Sequence, residues 1–376
     1  MHILWFVLLI LLPVAALTYL GWHLWILLPF SSCWKVAIII LGILCFLSIF
    51  LNFTGFLDRL PLPLARVLYN VGTSSLIVIL YMVLLFAVVD VCMLFHIVPR
   101  AWFHANWLSC LAVFGLLFGL LLYGNIRYNN KVRVVLDLPT AKTIQRDYKI
   151  VMASDLHLGY HNTRRDLARW VDMINAEAPD LILIAGDIVD MSVRPLFEED
   201  MAAEFRRLQA PVYACLGNHE YYGDLKRALK FLDDAGITLL VDSIASVDSS
   251  LVVVGRDDHG NRGRKSLDEL LRGVEDSTYV IVLDHKPYDL DQTERSGVDF
   301  QLSGHTHRGQ VWPLSWVTDR LYECSWGNHQ RGSTRYYVSS GLGIWGGKFR
   351  IGTQSEYVVA ELKSSFDQSR SSTSGK

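Results

Sequence analysis

Residues 303 to 310 read SGHTHRGQ, which places His305 and His307 on either side of one threonine. Alternate residues of an extended segment point the same way, and neutral imidazole is the commonest metal-ligating side chain. A lone H-x-H recurs by chance, so the pair carries weight only if residues of matching chemistry end other elements of the chain. They do. Asp155 and His157 follow the apolar run of YKIVMASDLHLG, Asp187 closes PDLILIAGD, Asn218 follows PVYACLG, and His285 closes YVIVLDH. Singly, an aspartate after a strand is usually a cap or turn residue, and a lone histidine is usually packed or solvated. Repetition at five strand ends outweighs both readings.

The set Asp155, His157, Asp187, Asn218, His285, His305 and His307 mixes carboxylate, amide oxygen and imidazole without thiolate. That mixture favours manganese, iron, zinc or a similar ion over a structural zinc site. Seven ligands are too many for one catalytic ion with an open position, but they suit two divalent ions about 3.5–4 Å apart. Such a pair acidifies a water, holds phosphoryl oxygens and offsets charge at an in-line displacement. Hydrolysis of a phosphate ester uses all three effects.

These residues need strands to carry them and helices to bury the strands. Tyr148 to Ala153 is a short β-type run, and Leu167, Trp170, Val171 and Ile174 then recur at helical spacing over residues 163 to 176. The unit repeats: LILIA precedes a helical stretch at 196 to 208, and Val212 to Leu216 precedes one at 225 to 235. YVIVL and Asp299 to Leu302 supply two further strands. In open α/β architectures such strand ends face a common crevice. After about residue 303, VWPLSW, RYYVSSG and EYVVAEL read as strands without intervening helices.

The ordered blocks DLHLG, GDIVD, GNHEYY, DHKP and SGHTHRGQ resemble those of the calcineurin-like metallophosphoesterases over roughly residues 148 to 361. SSGLGIWGGKFRIG followed by SEYVVAEL is similar to a bacterial membrane-associated branch that includes YaeI-like and YkuE-like phosphodiesterases. The resemblance implies an α/β four-layer domain of two packed β-sheets flanked by helices. It implies that Asp155, His157 and His307 bind one metal, that Asn218, His285 and His305 bind the other, and that Asp187 bridges them. A metal-bridging hydroxide would attack phosphorus. His219 would be the general acid, with Asp190 orienting its imidazole. Arg308 would clamp a phosphate with its guanidinium fork or serve as an ion-pair partner.

The hydrophobic fraction is 51% and the mean hydropathy +0.27, and nearly all of the excess lies before residue 126. Four apolar spans are expected there, at 3–28, 34–54, 74–98 and 106–124, each of about the 20 residues that cross a bilayer. The first lacks a basic start and exceeds a signal h-region, so it reads as a retained helix. The expected organisation is a multi-pass α-helical membrane region at 1–126, a linker and first strand at 127–147, the phosphoesterase domain at 148–363 and a serine-rich disordered tail at 364–376. Arg59, Arg66, Arg127, Lys131, Arg133, Lys142 and Arg146 fall on one side of the spans and only Lys35 and Arg100 on the other. The basic side is expected in the cytoplasm, with both termini and the catalytic domain. Six cysteines without CxxC spacing fit a reducing compartment.

Membrane spans beside a phosphoesterase domain direct expectation toward membrane lipids as partners and toward a phosphodiester or pyrophosphate substrate, lipid-linked esters among them. A resemblance-derived alternative is the UDP-2,3-diacylglucosamine pyrophosphatase step of lipid A synthesis. Trp312, Trp316, Trp326 and Trp345 form either an apolar rim for lipid or ordinary packing of the last section. A different class of function is a membrane sensor or transporter with a phosphoesterase output, for which Asp90 inside the third span is the available feature. The bland reading of Asp90 is a structural pairing with Tyr81 or with a polar group of another helix. No nucleic-acid partner is expected, and nothing in the sequence sets the oligomeric state.

Overall fold

The computed structural model describes residues 2–364, so the tail expected to be disordered lies, from residue 365, outside the described residues. The chain divides into two compact units, Met1–Ile126 with Gly346–Phe349, and Arg127–Trp345 with Arg350–Lys376.

The first unit contains α1 (His2–Leu27), α2 (Ser32–Leu47) continued by a 3-10 stretch Ser48–Thr54, α3 (Leu62–Leu94) and α4 (Trp107–Asn129). Ser32–Thr54, Leu62–Leu94 and Trp107–Asn129 are each long and apolar enough to cross a membrane, and the apolar part of α1 among the described residues is Leu11–Leu27. α3 begins twelve residues before the expected start at 74. Pro61 and Pro63 sit at its beginning, where a missing N–H costs nothing, and no breaker separates them from the apolar run. Arg66 and Asn70 lie in those first turns, where a helix of 33 residues, about 50 Å long, exceeds the span of the hydrocarbon and tolerates polar residues.

The second unit is built on two six-stranded sheets. The first holds β1 (Val132–Thr140), β2 (Tyr148–Ala153), β3 (Leu181–Ala185), β4 (Val212–Cys215), β5 (Thr238–Leu239) and β12 (Glu356–Ser364), in the order β1-β12-β2-β3-β4-β5. The second holds β6 (Ser243–Ser246), β7 (Leu251–Gly255), β8 (Tyr279–Leu283), β9 (Phe300–Ser303), β10 (Gly327–Arg331) and β11 (Thr334–Val338), in the order β10-β11-β9-β8-β7-β6. β2, β3 and β4 run parallel, as do β7, β8 and β9. That is why their sequences are unbroken apolar runs: both faces are covered.

Strand alternation sorts the side chains into layers. Ile150, Met152, Leu181 and Leu183 pack inward against Leu251, Val253, Ile281, Leu283, Phe300 and Leu302 of the facing sheet. Val151, Ala153, Ile182 and Ile184 point the other way, beneath α5 (Arg164–Ala176), α6 (Arg194–Glu198), α7 (Met201–Phe205) and α9 (Leu225–Asp234), with the one-turn α8 (Asn218–Tyr222) between. On the opposite outer face Val252, Val254, Val280 and Val282 meet Leu267 and Leu270 of α10 (Leu267–Leu270). The remaining helices are α11 (Leu290–Arg295) and α12 (Leu314–Leu321). Helix, sheet, sheet and helix make the four layers that were expected.

Two expectations change. The helical stretch at 196 to 208 is split into α6 and α7 by Asp200, whose φ of 47° no α-helix accommodates. VWPLSW is not a strand: Leu314, Val317 and Leu321 recur at spacings of three and four, and Pro313 stands at the N-cap of α12.

Candidate metal centre

Each sequence-derived ligand stands just beyond a strand of the second unit. Asp155 and His157 follow β2, Asp187 follows β3, Asn218 opens α8 after β4, His285 follows β8, and His305 and His307 follow β9. Backbone and side-chain links tie these loops together. Asp155 N–H donates to Gly186 O at 3.1 Å, His305 N–H to Asp155 Oδ1 at 3.0 Å, and His285 Nδ1 lies 2.8 Å from Ala185 O. The last contact takes up His285 Nδ1 and leaves Nε2 facing the site.

Three overlapping clusters result: Asp155, His157 and His307; Asp187, His285 and His305; and His157, Asp187 and His219. His157 Nε2 lies 3.1 Å from His307 Nε2, 3.7 Å from Asp187 Oδ2 and 3.9 Å from Asp155 Oδ1. His307 Nε2 is 3.5 Å from Asp155 Oδ1, and His285 Nε2 is 3.1 Å from Asp187 Oδ2. Buried Asn218 Oδ1 has no hydrogen-bond partner among the described residues, and the only group that His285 Nε2 meets is the Asp187 carboxylate. Buried lone pairs left in that state are costly. Converging carboxylates, imidazole nitrogens and an amide oxygen are the donor set that a pair of divalent cations would satisfy.

The backbone is strained where it presents these groups. Asp155, His157, Asp187, His305 and His307 have φ of 53°, 44°, 50°, 70° and 47°, a region that non-glycine residues seldom occupy. Gly217 has a different constraint. A Cβ there would lie 2.1 Å from Asp187 Oδ1 and 2.6 Å from Asp187 N. Gly217→Ala therefore displaces Asp187 and is expected to cut metal-dependent turnover about 100-fold, the scale of an ångström's misplacement, while the folded protein survives. Turnover measured beside the thermal unfolding midpoint checks this.

Electrostatics divides the histidines. Burial, reinforced by neighbouring His285, pushes His305 down to about 3, and burial together with His157 holds His307 well below the ordinary imidazole range. Both are neutral, with lone pairs available. His219 goes the other way: burial pulls it down, but the carboxylates of Asp187 and Asp190 outweigh that and push it up to about 9. Its Nδ1 lies 3.1 Å from Asp190 Oδ1. Asp190 also faces His157 Nδ1 at 3.6 Å and His161 Nδ1 at 3.9 Å.

Three supporting residues escaped the sequence reading. His161 is buried, with Nε2 2.5 Å from Ile344 O. Glu220 accepts from Gly217 N at 2.7 Å and Val189 N at 3.0 Å, bracing the Asp187 and Asn218 loops together. Arg350 is fully buried, donating to His307 O at 2.7 Å and also to the carbonyls of Ser340 and Gly343. Glu220 and Arg350 stand inside the GNHEYY and GGKFRIG blocks, and that was their only signal. Arg308 stacks its guanidinium over Trp326, 4.0 Å from the ring centroid, and Trp326 donates to Glu356 Oε1 at 2.9 Å.

A model of the calcineurin-like phosphoesterase family matches residues 148–309. The chain is similar to an uncharacterized metallophosphoesterase of Aquifex aeolicus, 34% identical over 227 residues that cover 58% of this chain and 85% of that one. It is similar also to the uncharacterized metallophosphoesterase YkuE of Bacillus subtilis, 32% identical over 231 residues, 58% of this chain and 79% of the relative. A transmembrane protein with metallophosphoesterase domain from Danio rerio is 29% identical over 263 residues, 65% of this chain and 60% of the relative. The chain spans 60% of the length of several of the curated relatives it matches.

Proposed function

The chain belongs to the calcineurin-like metallophosphoesterase family, and from that premise we propose that it is a membrane-anchored, dinuclear-metal phosphohydrolase acting on phosphodiester or pyrophosphate bonds of lipid-linked substrates. One observation carries the dinuclear part. Asp187 belongs to two ligand clusters, reaching toward His157 on one side and His285 on the other. In this reading Asp155, His157 and His307 hold one divalent ion, Asn218, His285 and His305 hold the second, and Asp187 is shared. When bound, the ions would supply an acidified water as nucleophile and positive charge for the phosphoryl oxygens.

The protein's own groups do the rest. His219, kept protonated by Asp187 and Asp190, stands beside the cluster to give its proton to the departing oxygen. Arg308, flattened on Trp326, presents a fork suited to a non-bridging phosphate oxygen. Three helices long and apolar enough to cross a membrane support the anchoring, and the excess of Arg59, Arg66, Arg127, Lys131 and Arg133 over Lys35 and Arg100 supports a cytoplasmic catalytic unit.

The test is hydrolysis by the full chain in mixed micelles with Mn²⁺, comparing bis-p-nitrophenyl phosphate, p-nitrophenyl phosphate and a lipid-linked diphosphate ester. The expected result is diester and lipid-linked turnover that chelation abolishes and metal restores, with the monoester slower. A monoester preference would overturn the substrate assignment. No turnover of any ester with two ions bound per chain would overturn the activity.

A further inference from the structure

α1 brings Tyr19 and His23, one helical turn apart, against Asp90 of α3. Tyr19 donates to Asp90 Oδ2 at 2.5 Å, and His23 Nε2 lies 3.1 Å from that same oxygen. Asp90 therefore takes the interhelical option left open for it and not the pairing with Tyr81. His23 is itself buried, its ring stacked on Phe86 at 4.5 Å and edged by Tyr19 and Trp22. The pairing with Tyr19 and His23 does not seal off the carboxylate. Its side chain is instead 38% exposed, and it lines a cavity of about 600 Å³ together with Trp22, His23, Arg100, Phe103 and His104.

An ionisable side chain inside an apolar span is costly, and one that is kept there usually serves a ligand, an ion or a proton path. Here both protein donors converge on Oδ2, which leaves the exposed part of the carboxylate for an incoming donor. The same cavity also carries Arg100 and His104, on the connection that follows α3. Its chemistry is thus dipolar: an acceptor carboxylate on α3 and cationic or hydrogen-bonding groups on the adjoining connection. A ligand with a primary ammonium and a phosphate a few bonds apart complements both. The volume is that of an ordinary small-molecule site, and Trp22 and Phe103 are residue types suited to the boundary between headgroup and acyl chain.

We propose that this cavity binds the headgroup of an ethanolamine-type phospholipid, with the ammonium on Asp90 and the phosphate on Arg100 and His104. The site lies within the membrane unit and is distinct from the metal centre, so it stands or falls independently of the catalytic reading.

The probe is an equimolar mixture of phosphatidylethanolamine, phosphatidylcholine and phosphatidylglycerol offered to the detergent-solubilised full chain, with retained lipid counted by native mass spectrometry. The expected result is roughly tenfold enrichment of the ethanolamine lipid over both others, lost in Asp90→Asn. Arg100→Ala is expected to lower retention of all three lipids, because the phosphate is common to them. Tyr19→Phe keeps the carboxylate and should keep the preference, which separates ligand recognition from helix packing. Thermal unfolding midpoints confirm that the variants compared are folded. Wild-type protein without the preference, Asp90→Asn protein that retains it, or loss in Tyr19→Phe equal to that in Asp90→Asn would each overturn the proposal.

Discussion

Asp187→Asn is expected to lower metal-dependent turnover by about three orders of magnitude, a loss comparable to removal of a central member of other catalytic constellations. The substitution is nearly isosteric. Its Oδ1 can still accept from the His219 N–H, 2.9 Å away in the native protein, and Gly217 still leaves room for it. What disappears is the charge. Burial favours a neutral acid at this position, but His285, His219 and His157 around it outweigh that and hold the Asp187 carboxyl well below the ordinary range. An amide offers those three imidazoles nothing equivalent, and it is a poor shared ligand for two cations. Metal analysis of the folded variant should therefore fall from two ions per chain toward one. Asp180→Asn, on a part-exposed carboxylate at the opposite end of β3, is the matched control and should leave turnover unchanged. Turnover within tenfold of wild type, with two ions retained by Asp187→Asn, would remove Asp187 from its bridging position.

The convergence of the candidate residues was legible because of what lies upstream of each one. Strands such as IVMA, LILIA and VIVL are covered on both faces, so they appear as unbroken apolar runs whose ends are unambiguous. A polar residue directly after such a run must sit at the rim of the sheet. The positions missed share a different physics. Arg350 is fully buried and joins the His307 carbonyl after β9 to two carbonyls of the connection after β11, an arrangement created by tertiary packing that leaves no periodicity behind. The split between α6 and α7 depends on the left-handed conformation of Asp200, and aspartate is also compatible with helical positions. The early start of α3 was hidden because an apolar-run criterion begins only where the polar residues Arg66 and Asn70 stop, although neither breaks a helix. VWPLSW alternates too briefly to separate a strand from a turn running into the first residues of α12.

The acid assignment makes a sharper demand, since it predicts which bonds suffer when His219 is removed. His219→Gln should cost about 10²–10⁴-fold on esters whose departing alkoxide needs a proton, the ordinary range for general-acid catalysis. Bis-p-nitrophenyl phosphate should suffer much less, because p-nitrophenolate stabilises its own negative charge. A uniform loss across leaving groups would mean that His219 positions the substrate and does not protonate it. Asp190 is the positioning residue in this scheme, and its signature is a pH profile. Burial drives the His219 pKa down, while Asp187 and Asp190 raise it to about 9 in the metal-free protein. Bound divalent cations would pull it down again, so each remaining carboxylate matters to whether the imidazole stays protonated at neutral pH. Asp190→Asn removes one raising charge. The His219 pKa falls, the acid loses its proton earlier as pH rises, and the alkaline limb of kcat moves to lower pH. On the acid side, where the imidazole is protonated in both proteins, the difference should be smallest. A profile that drops uniformly without moving its alkaline limb would leave Asp190 as a scaffold for His157, His161 and His219, with no part in setting the proton on the acid.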